Sequence, residues 1–254
     1  MSSTKKNFLY NSAYQLLILL IPLITTPYLS RVLGADGVGI YSYYYSIANY
    51  FVIFILLGLN NYGNRAIAKV RDNHIELSKT FWQIYCMQFI LGIAMNVLFL
   101  FYTIFLSSNQ LISFTMILYV LSGILDINWF FFGIEKFKLT VIRNVLVKLA
   151  TTALIFTLVK ASSDVWLYCI ILTGGMLVSQ LVVWPYLFKE VVFVKPKIKS
   201  IFSHIKPNIF LFFTVIAVSI YKILDKIMLG SMTTTEQVGY FESAEKLINI
   251  PVAL

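Results

Sequence analysis

Apolar residues come in long runs separated by short polar or charged stretches. The runs lie near 9–33, 38–60, 81–106, 111–133, 141–160, 165–188 and 209–229, and another starts near 240 and reaches Leu254. A helix needs about 20 apolar residues to cross the hydrocarbon core of a bilayer. The pattern therefore predicts an all-α, polytopic integral membrane protein with seven complete transmembrane helices and a truncated eighth. The longest connector, FKEVVFVKPKIKSIFSHIKPN, carries Pro196 and Pro207, which are expected to prevent one continuous helix. It divides the chain into a first six-helix lobe (1–188), a cytoplasmic connector (189–208) and the incomplete start of a second lobe (209–254).

Composition supports this reading: 59% of residues are hydrophobic, only 12% are charged, and the mean hydropathy is +0.82. Such a chain cannot cover its apolar surface in water. The net charge of +9 comes in short clusters between apolar runs rather than in one patch, which argues for a topology signal and against nucleic acid. With the N-terminus in the cytoplasm, fifteen cations fall inside: Lys5, Lys6, Arg65, Lys69, Arg71, Lys79, Lys136, Lys138, Arg143, Lys148, Lys189, Lys195, Lys197, Lys199 and Lys206. Four anions accompany them, whereas the outer side has three cations against five anions. The positive-inside rule thus gives a multi-pass protein of the cell (inner) membrane with a cytoplasmic N-terminus. The first run is longer than a signal-peptide core of about 7–15 residues, so it is read as an uncleaved helix.

Several chemistries are set aside. Cys86 and Cys169 lie far apart in apolar runs, and His74 and His204 stand alone in basic loops, so no disulfide framework, metal site or cofactor is expected. The GxxxxGK[ST] phosphate loop is absent. No loop is long enough for a folded extramembrane domain, so the chain is not expected to be an enzyme.

Charges inside the runs are the candidates for function, because each costs roughly 2.5–3.5 kcal/mol on insertion scales. Asp126 is expected about seven residues from the inner end of its span, on the order of 10 Å deep at 1.5 Å per residue. It should be protonated, hydrogen-bonded to a neighbouring helix, or facing water; a purely structural helix–helix contact is the competing reading. Lys222, Asp225 and Lys226 share one helix face at i, i+3 and i+4. They form either an internal pair or a cationic site for an anionic substrate. Arg31 either snorkels to the interface or joins that site. Glu242, Glu245 and Lys246 are weaker candidates for the same chamber. Tyr41, Tyr43, Tyr44 and Tyr45 read first as an interfacial aromatic belt.

One stretch recurs. SRVLGADGVGIYSYYY (30–45) is echoed by KIMLG (226–230) and VGYFES (238–243), with Val38-Gly39 returning as Val238-Gly239. Six spans separate the copies, so both fall on the outer side in one orientation, as in a parallel repeat with the substrate path between halves. Chance recurrence of short Gly/aromatic strings is the alternative.

Four strings together resemble the polysaccharide flippase family of the multidrug/oligosaccharidyl-lipid/polysaccharide exporter superfamily. They are SRVLGADGVGIYSYYYSI (30–47), GLNNYGNRAIAKVRD (58–72), DINWFFFGIEKFK (126–138) and KPNIFLFF…IYKILDKIMLGSMTTTEQVGYFESAEKL (206–247). The resemblance runs along essentially the whole chain. It implies two six-helix lobes around a central cavity and movement of undecaprenyl-diphosphate-linked oligosaccharide units to the outer leaflet for capsule, exopolysaccharide or O-antigen. It also implies polysaccharide polymerase and glycosyltransferases as partners. Carried over, Arg31, Lys222 and Lys226 match basic cavity positions, Arg65 matches the basic residue after the second span, and Asp126 and Trp129 match the fourth-span motif. The chain resembles the N-terminal half plus one and a half helices. A cation-coupled multidrug antiporter and a non-transporting fragment are the alternatives. Charge reversal at Arg31 or Lys222 in a full-length version is expected to abolish surface polysaccharide without abolishing membrane insertion, read by polysaccharide staining and membrane immunoblot.

Overall fold

The architecture is that of a computed structural model, which describes residues 21–252. Within them the regular structure is all helical, with no strand. In order come α1 (21–32), α2 (Gly34–Leu56), α3 (Leu59–Val70), α4 (His74–Phe105), α5 (Gln110–Leu125) and α6 (Asn128–Gly133). There follow α7 (Phe137–Leu158), α8 (Val165–Leu181), α9 (Trp184–Leu187), α10 (Ile198–Ser203), α11 (Ile205–Met232) and α12 (Thr235–Val252). Among the described residues, six helical stretches are long and apolar enough to span a membrane: Gly34–Val70, His74–Phe105, Gln110–Gly133, Phe137–Leu158, Ser162–Leu187 and Ile198–Met232. These match the second to seventh predicted runs, and the all-α multi-pass class holds. Most of the first run, 9–20, lies outside the described residues. The expected eighth helix exists as α12 but is not among the six, so a count of seven or eight stays an expectation.

The turn between α1 and α2 is tighter than the Gly-rich sequence suggests. Only Leu33 and Gly34 make it, with Gly34 in the left-handed region at φ +71°. Gly37 and Gly39 are helical, so their missing side chains serve another purpose. A Cβ on Gly39 would lie 1.7 Å from the Thr235 carbonyl oxygen, and one on Gly239 would lie 1.9 Å from that of Ala35. The contact is reciprocal: α2 and α12 touch backbone to backbone through Ala35-xxx-Gly39 and Thr235-xxx-Gly239, the small-residue spacing that lets membrane helices approach closely. The Thr235 hydroxyl donates to the Asp36 carboxylate, and further along the Ser42 hydroxyl donates to Glu242 Oε2 at 2.7 Å. The two helices therefore run parallel. Gly230, in the other part of the echo, sits on α2 as well, where a Cβ would come 2.3 Å from the Tyr43 ring.

Three spans are broken rather than straight. The Gly34–Val70 span kinks where Leu57 adopts φ 47° before Gly58. The Ser162–Leu187 span restarts at Trp184-Pro185, where proline fits a first turn because it has no N–H to satisfy there. The third break changes a sequence expectation. The 111–133 run does not carry one helix through Asp126: α5 stops at Leu125, and Asp126 is extended at φ −73°, ψ 103°. Its carboxylate accepts the Asn128 N–H at 2.9 Å, a local turn that competes with the helix. Fully buried Gln88 of α4 satisfies the freed carbonyls. Its amide N–H groups donate to Gly123 O at 2.8 Å and Asp126 O at 2.9 Å, and its Oε1 accepts the Trp129 indole N–H at 3.0 Å.

Pro207 also differs from expectation. It lies in the first turn of α11, where its missing donor costs nothing, and the non-helical segment of the connector is 189–197, which contains Pro196. Two packed clusters flank the middle of the bundle. One joins Leu33, Val38, Tyr44, Phe99, Met116 and Tyr168 near the α1–α2 turn; the other joins Leu59, Ile67, Phe81, Trp129, Phe131 and Leu187 near α3, α6 and α9. Outward faces are apolar, as on α4 at Val97, Phe101 and Phe105, and suit lipid. Between spans, Arg71 pairs with Glu135 at 2.5 Å, and that carboxylate holds the guanidinium above its ordinary pKa.

Gln88→Leu should therefore lower stability by about 1–3 kcal/mol, the cost of leaving buried polar groups unpaired. Lys199→Ala, on an exposed surface, should stay within about 0.5 kcal/mol. Thermal unfolding of the purified protein in detergent distinguishes the two.

Candidate substrate cavity

Polar side chains inside the spans converge on two adjoining cavities. The larger, about 570 Å³, is lined by Asn49 and Asn60 of α2–α3, Tyr119 and Asp126 around α5, Asn128 of α6, Arg143, Asn144 and Lys148 of α7, and Gln180 of α8. The smaller, about 230 Å³, is lined by Pro22, Tyr41, Ser42, Tyr45, Lys148, Lys226, Glu242 and Lys246. Lys148, Thr151, Leu172 and Met176 line both, so they are two chambers of one space.

Helical spacing explains this lining. Asn144, Lys148 and Thr151 follow i, i+4, i+7 on α7, while Tyr41, Tyr45 and Asn49 repeat every fourth residue on α2. The Arg143 guanidinium is nearly fully buried and donates to the amide oxygens of Asn128 at 3.0 Å, Asn144 at 2.6 Å and Gln180 at 3.4 Å. It also attracts the nearby Asp126 carboxylate. In the smaller chamber, Lys226 pairs with Glu242 at 2.5 Å and Glu245 at 2.7 Å, and Lys246 pairs with Glu242 at 3.1 Å. Tyr45 and Tyr119 stack at 4.7 Å, Tyr41 stacks on Tyr45 at 5.4 Å, and the Tyr119 hydroxyl donates to Asn49 at 2.8 Å. Four cations and two carboxylates thus line the combined space. Among the described residues, no group of three or more His, Cys, Asp or Glu side chains is placed to hold a metal.

The sequence profile of the family described as "Polysaccharide biosynthesis protein" matches residues 4–254. The chain belongs to that family. Two curated relatives each carry the name "Putative O-antigen transporter". One, from Escherichia coli (strain K12), is 25% identical over 253 residues, covering 97% of this chain and 61% of its own length. The other, from Shigella dysenteriae, is 25% identical over 233 residues, covering 90% of this chain and 58% of its own length. The chain therefore spans about three fifths of the length of these relatives. No solved structure matches it.

The residues singled out in this family member's sequence fall into three settings. Asp126 and Lys226 line the cavity. Trp129 is fully buried between Phe81, which it stacks on at 5.6 Å, and Gly63, whose added Cβ would come 2.7 Å from the indole. Its place is the core joining α3, α4 and α6. Arg31, Arg65, Lys222 and Asp225 are exposed and line neither chamber. No Lys222–Asp225 ion pair occurs among the described residues; Lys226 turns instead to α12.

Two readings need correction. Arg143 and Lys148 are not connector charges, because α7 begins at Phe137 and carries both into the cavity. Tyr41, Tyr44 and Tyr45 are not an interfacial belt. The first two are buried and Tyr45 lines the smaller chamber, because α2 starts earlier than its apolar run and already packs within the bundle at Tyr41. The i, i+4, i+7 polar stripe on α7 was the signal for the first point.

Single cysteines at Asn49→Cys, Asn144→Cys and Lys148→Cys, in a background lacking Cys86 and Cys169, should react with a charged maleimide, whereas Trp129→Cys should not. Labelling of all four or of none would contradict a water-filled chamber at this place.

Proposed function

We propose that this chain is part of a flippase that moves undecaprenyl-diphosphate-linked oligosaccharide units from the inner to the outer leaflet by alternating access. The observation that carries the reading is the set of four cations, Arg143, Lys148, Lys226 and Lys246, around a cavity within membrane-spanning helices. Each such charge is costly in a bilayer, and the four cations outnumber the three carboxylates beside them, Asp126, Glu242 and Glu245, so the cluster calls for an anionic occupant. A diphosphate supplies that charge, and the amides and the Tyr41–Tyr45–Tyr119 stack offer hydrogen bonds and flat faces to sugars. The lipid tail stays in the bilayer. The relatives' printed name and the family description support a role in polysaccharide assembly.

In this reading the N-terminus is cytoplasmic, the membrane is the inner one, and polymerase and glycosyltransferases act beside the protein. Residues 1–188 form the first lobe and 209–254 begin the second. The Gly39–Gly239 contact closes the outer end, leaving the chamber open toward the inner side. The chain works by moving its cargo, not by bond-making chemistry. The alternative, a cation-coupled drug antiporter, is disfavoured because an acidic cavity would suit cationic drugs and this one is basic.

Lys148→Glu and Lys226→Glu should each abolish surface polysaccharide in a flippase-null strain complemented with the gene, at normal membrane abundance. Retained export in both would end the reading. Export loss accompanied by loss of drug resistance would favour the antiporter.

A further inference from the structure

Glu242 stands out in the smaller chamber because it touches three helices. Its Oε2 accepts from Ser42 of α2 at 2.7 Å and from Lys226 of α11 at 2.5 Å, while Oε1 accepts from Lys246 at 3.1 Å, one turn along α12. It lies three residues beyond Gly239, and Ser42 lies three beyond Gly39, so the tie sits one turn from the backbone contact between α2 and α12. Ser42 and Glu242 also occupy equivalent places in the two copies of the repeat. Beside them Lys148, half-buried and lining both chambers, has no carboxylate partner among the described residues and is repelled by Lys246.

We propose that Glu242 is an internal stand-in for the anionic group of the cargo, and that a bound diphosphate displaces it and so releases α12 from α2. The idea rests on the reading of the cavity as a diphosphate site. A diphosphate entering the chamber meets Lys148 first. It then competes with a single carboxylate for Lys226 and Lys246, with more charge and more acceptor oxygens. Once the lysines exchange partners, Glu242 is a partly buried carboxylate facing a like charge at close range, an arrangement that is strongly unfavourable away from water. Moving α12 away from α2 relieves it. The motion breaks the Ser42 hydrogen bond and parts the Gly39–Gly239 contact, so occupancy of the chamber opens its outer end.

The test uses the purified chain in lipid nanodiscs, with inorganic pyrophosphate as the probe. Affinity is read by calorimetry, and the α2–α12 contact by hydrogen exchange of peptides covering 34–44 and 235–245. Pyrophosphate should bind the wild type and raise exchange in both peptides. Glu242→Gln should bind about tenfold tighter, a change of about 1.4 kcal/mol, and show raised exchange before any anion is added. Ser42→Ala, which keeps every charge, should also show raised exchange without anion. Glu245→Gln, whose carboxylate meets Lys226 of α11 rather than α2, should bind tighter yet exchange like the wild type. Binding to the wild type without a change in exchange overturns the stand-in and leaves the cavity reading intact, as does a Glu242→Gln protein that binds no tighter. Failure of all four proteins to bind pyrophosphate overturns the cavity reading, and the stand-in with it.

Discussion

The architecture depends on one steric fact: at the crossing of α2 and α12 there is room for hydrogen and for nothing larger. A Cβ at Gly39 or Gly239 would fall within 2 Å of a carbonyl oxygen of the facing helix. With both glycines in place the backbones meet, and their geometry leaves close Cα and carbonyl contacts of the kind that recur between membrane helices. The approach has consequences beyond two residues. It brings Glu242 within reach of Ser42, and it brings Lys226 of α11 and Lys246 of α12 into a chamber otherwise built by α1, α2, α7 and α8. Gly230 against Tyr43 holds α11 to the same face of α2. A cationic chamber exists because small residues let the carriers of its charge come close.

A polar space inside a bilayer also needs rigid walls, since water-facing groups attract one another and collapse the gap unless they are held apart. The walls here are held by neutral amides. Gln88 satisfies the carbonyls freed where α5 gives way to α6, which allows Asp126 to leave the helix and face the larger chamber. Asn128, Asn144 and Gln180 hold Arg143 by their oxygens and so fix its direction. The packed aromatic cluster around Trp129 and Phe81 lies behind this region and keeps α3, α4 and α6 in register. The neighbouring Asp126 and Trp129 thus divide their work: Asp126 lines the larger chamber, and Trp129 packs in the wall behind it.

How far the sequence could be read follows from the same physics. The spans were legible because hydropathy over about 20 residues is a strong signal that no tertiary contact overrides. The breaks were not: at Asp126 and Val183 apolar residues stand on both sides and only local turn chemistry marks the place, while past Leu57 the helix resumes through the polar stretch LNNYGNRAIAKV, which hydropathy reads as a loop. Among candidate sites, Asp126 and Lys226 were found because a charge deep in an apolar run is conspicuous. Arg143 and Lys148 were missed because they count with the basic clusters of the positive-inside pattern, although both lie inside the 141–160 run and α7 carries them into the bundle. Arg31 and Lys222 drew attention by the same rule that found Lys226, yet both are exposed, because spacing along a helix does not say which neighbour its face meets.

The two echoed strings differ where they meet the chamber. Equivalent positions differ by 200 along the chain at Ala35 and Thr235, Val38 and Val238, Gly39 and Gly239, and Ser42 and Glu242. The first three pairs share small or apolar character, as the backbone contact and its flanking packing demand. At the fourth the requirement is lifted, since the side chains there point from the crossing into the chamber, and the halves differ: a hydroxyl in one, a carboxylate in the other. Had serine occupied both places, Lys226 would keep only Glu245 and Lys246 would lose its Glu242 partner, leaving the chamber with more uncompensated positive charge. Had glutamate occupied both, two carboxylates would oppose each other beside the backbone contact and force it open. One serine facing one glutamate is the pairing that both closes the contact and balances the lysines, so the departure from symmetry falls where charge, and no longer shape, decides which residue fits.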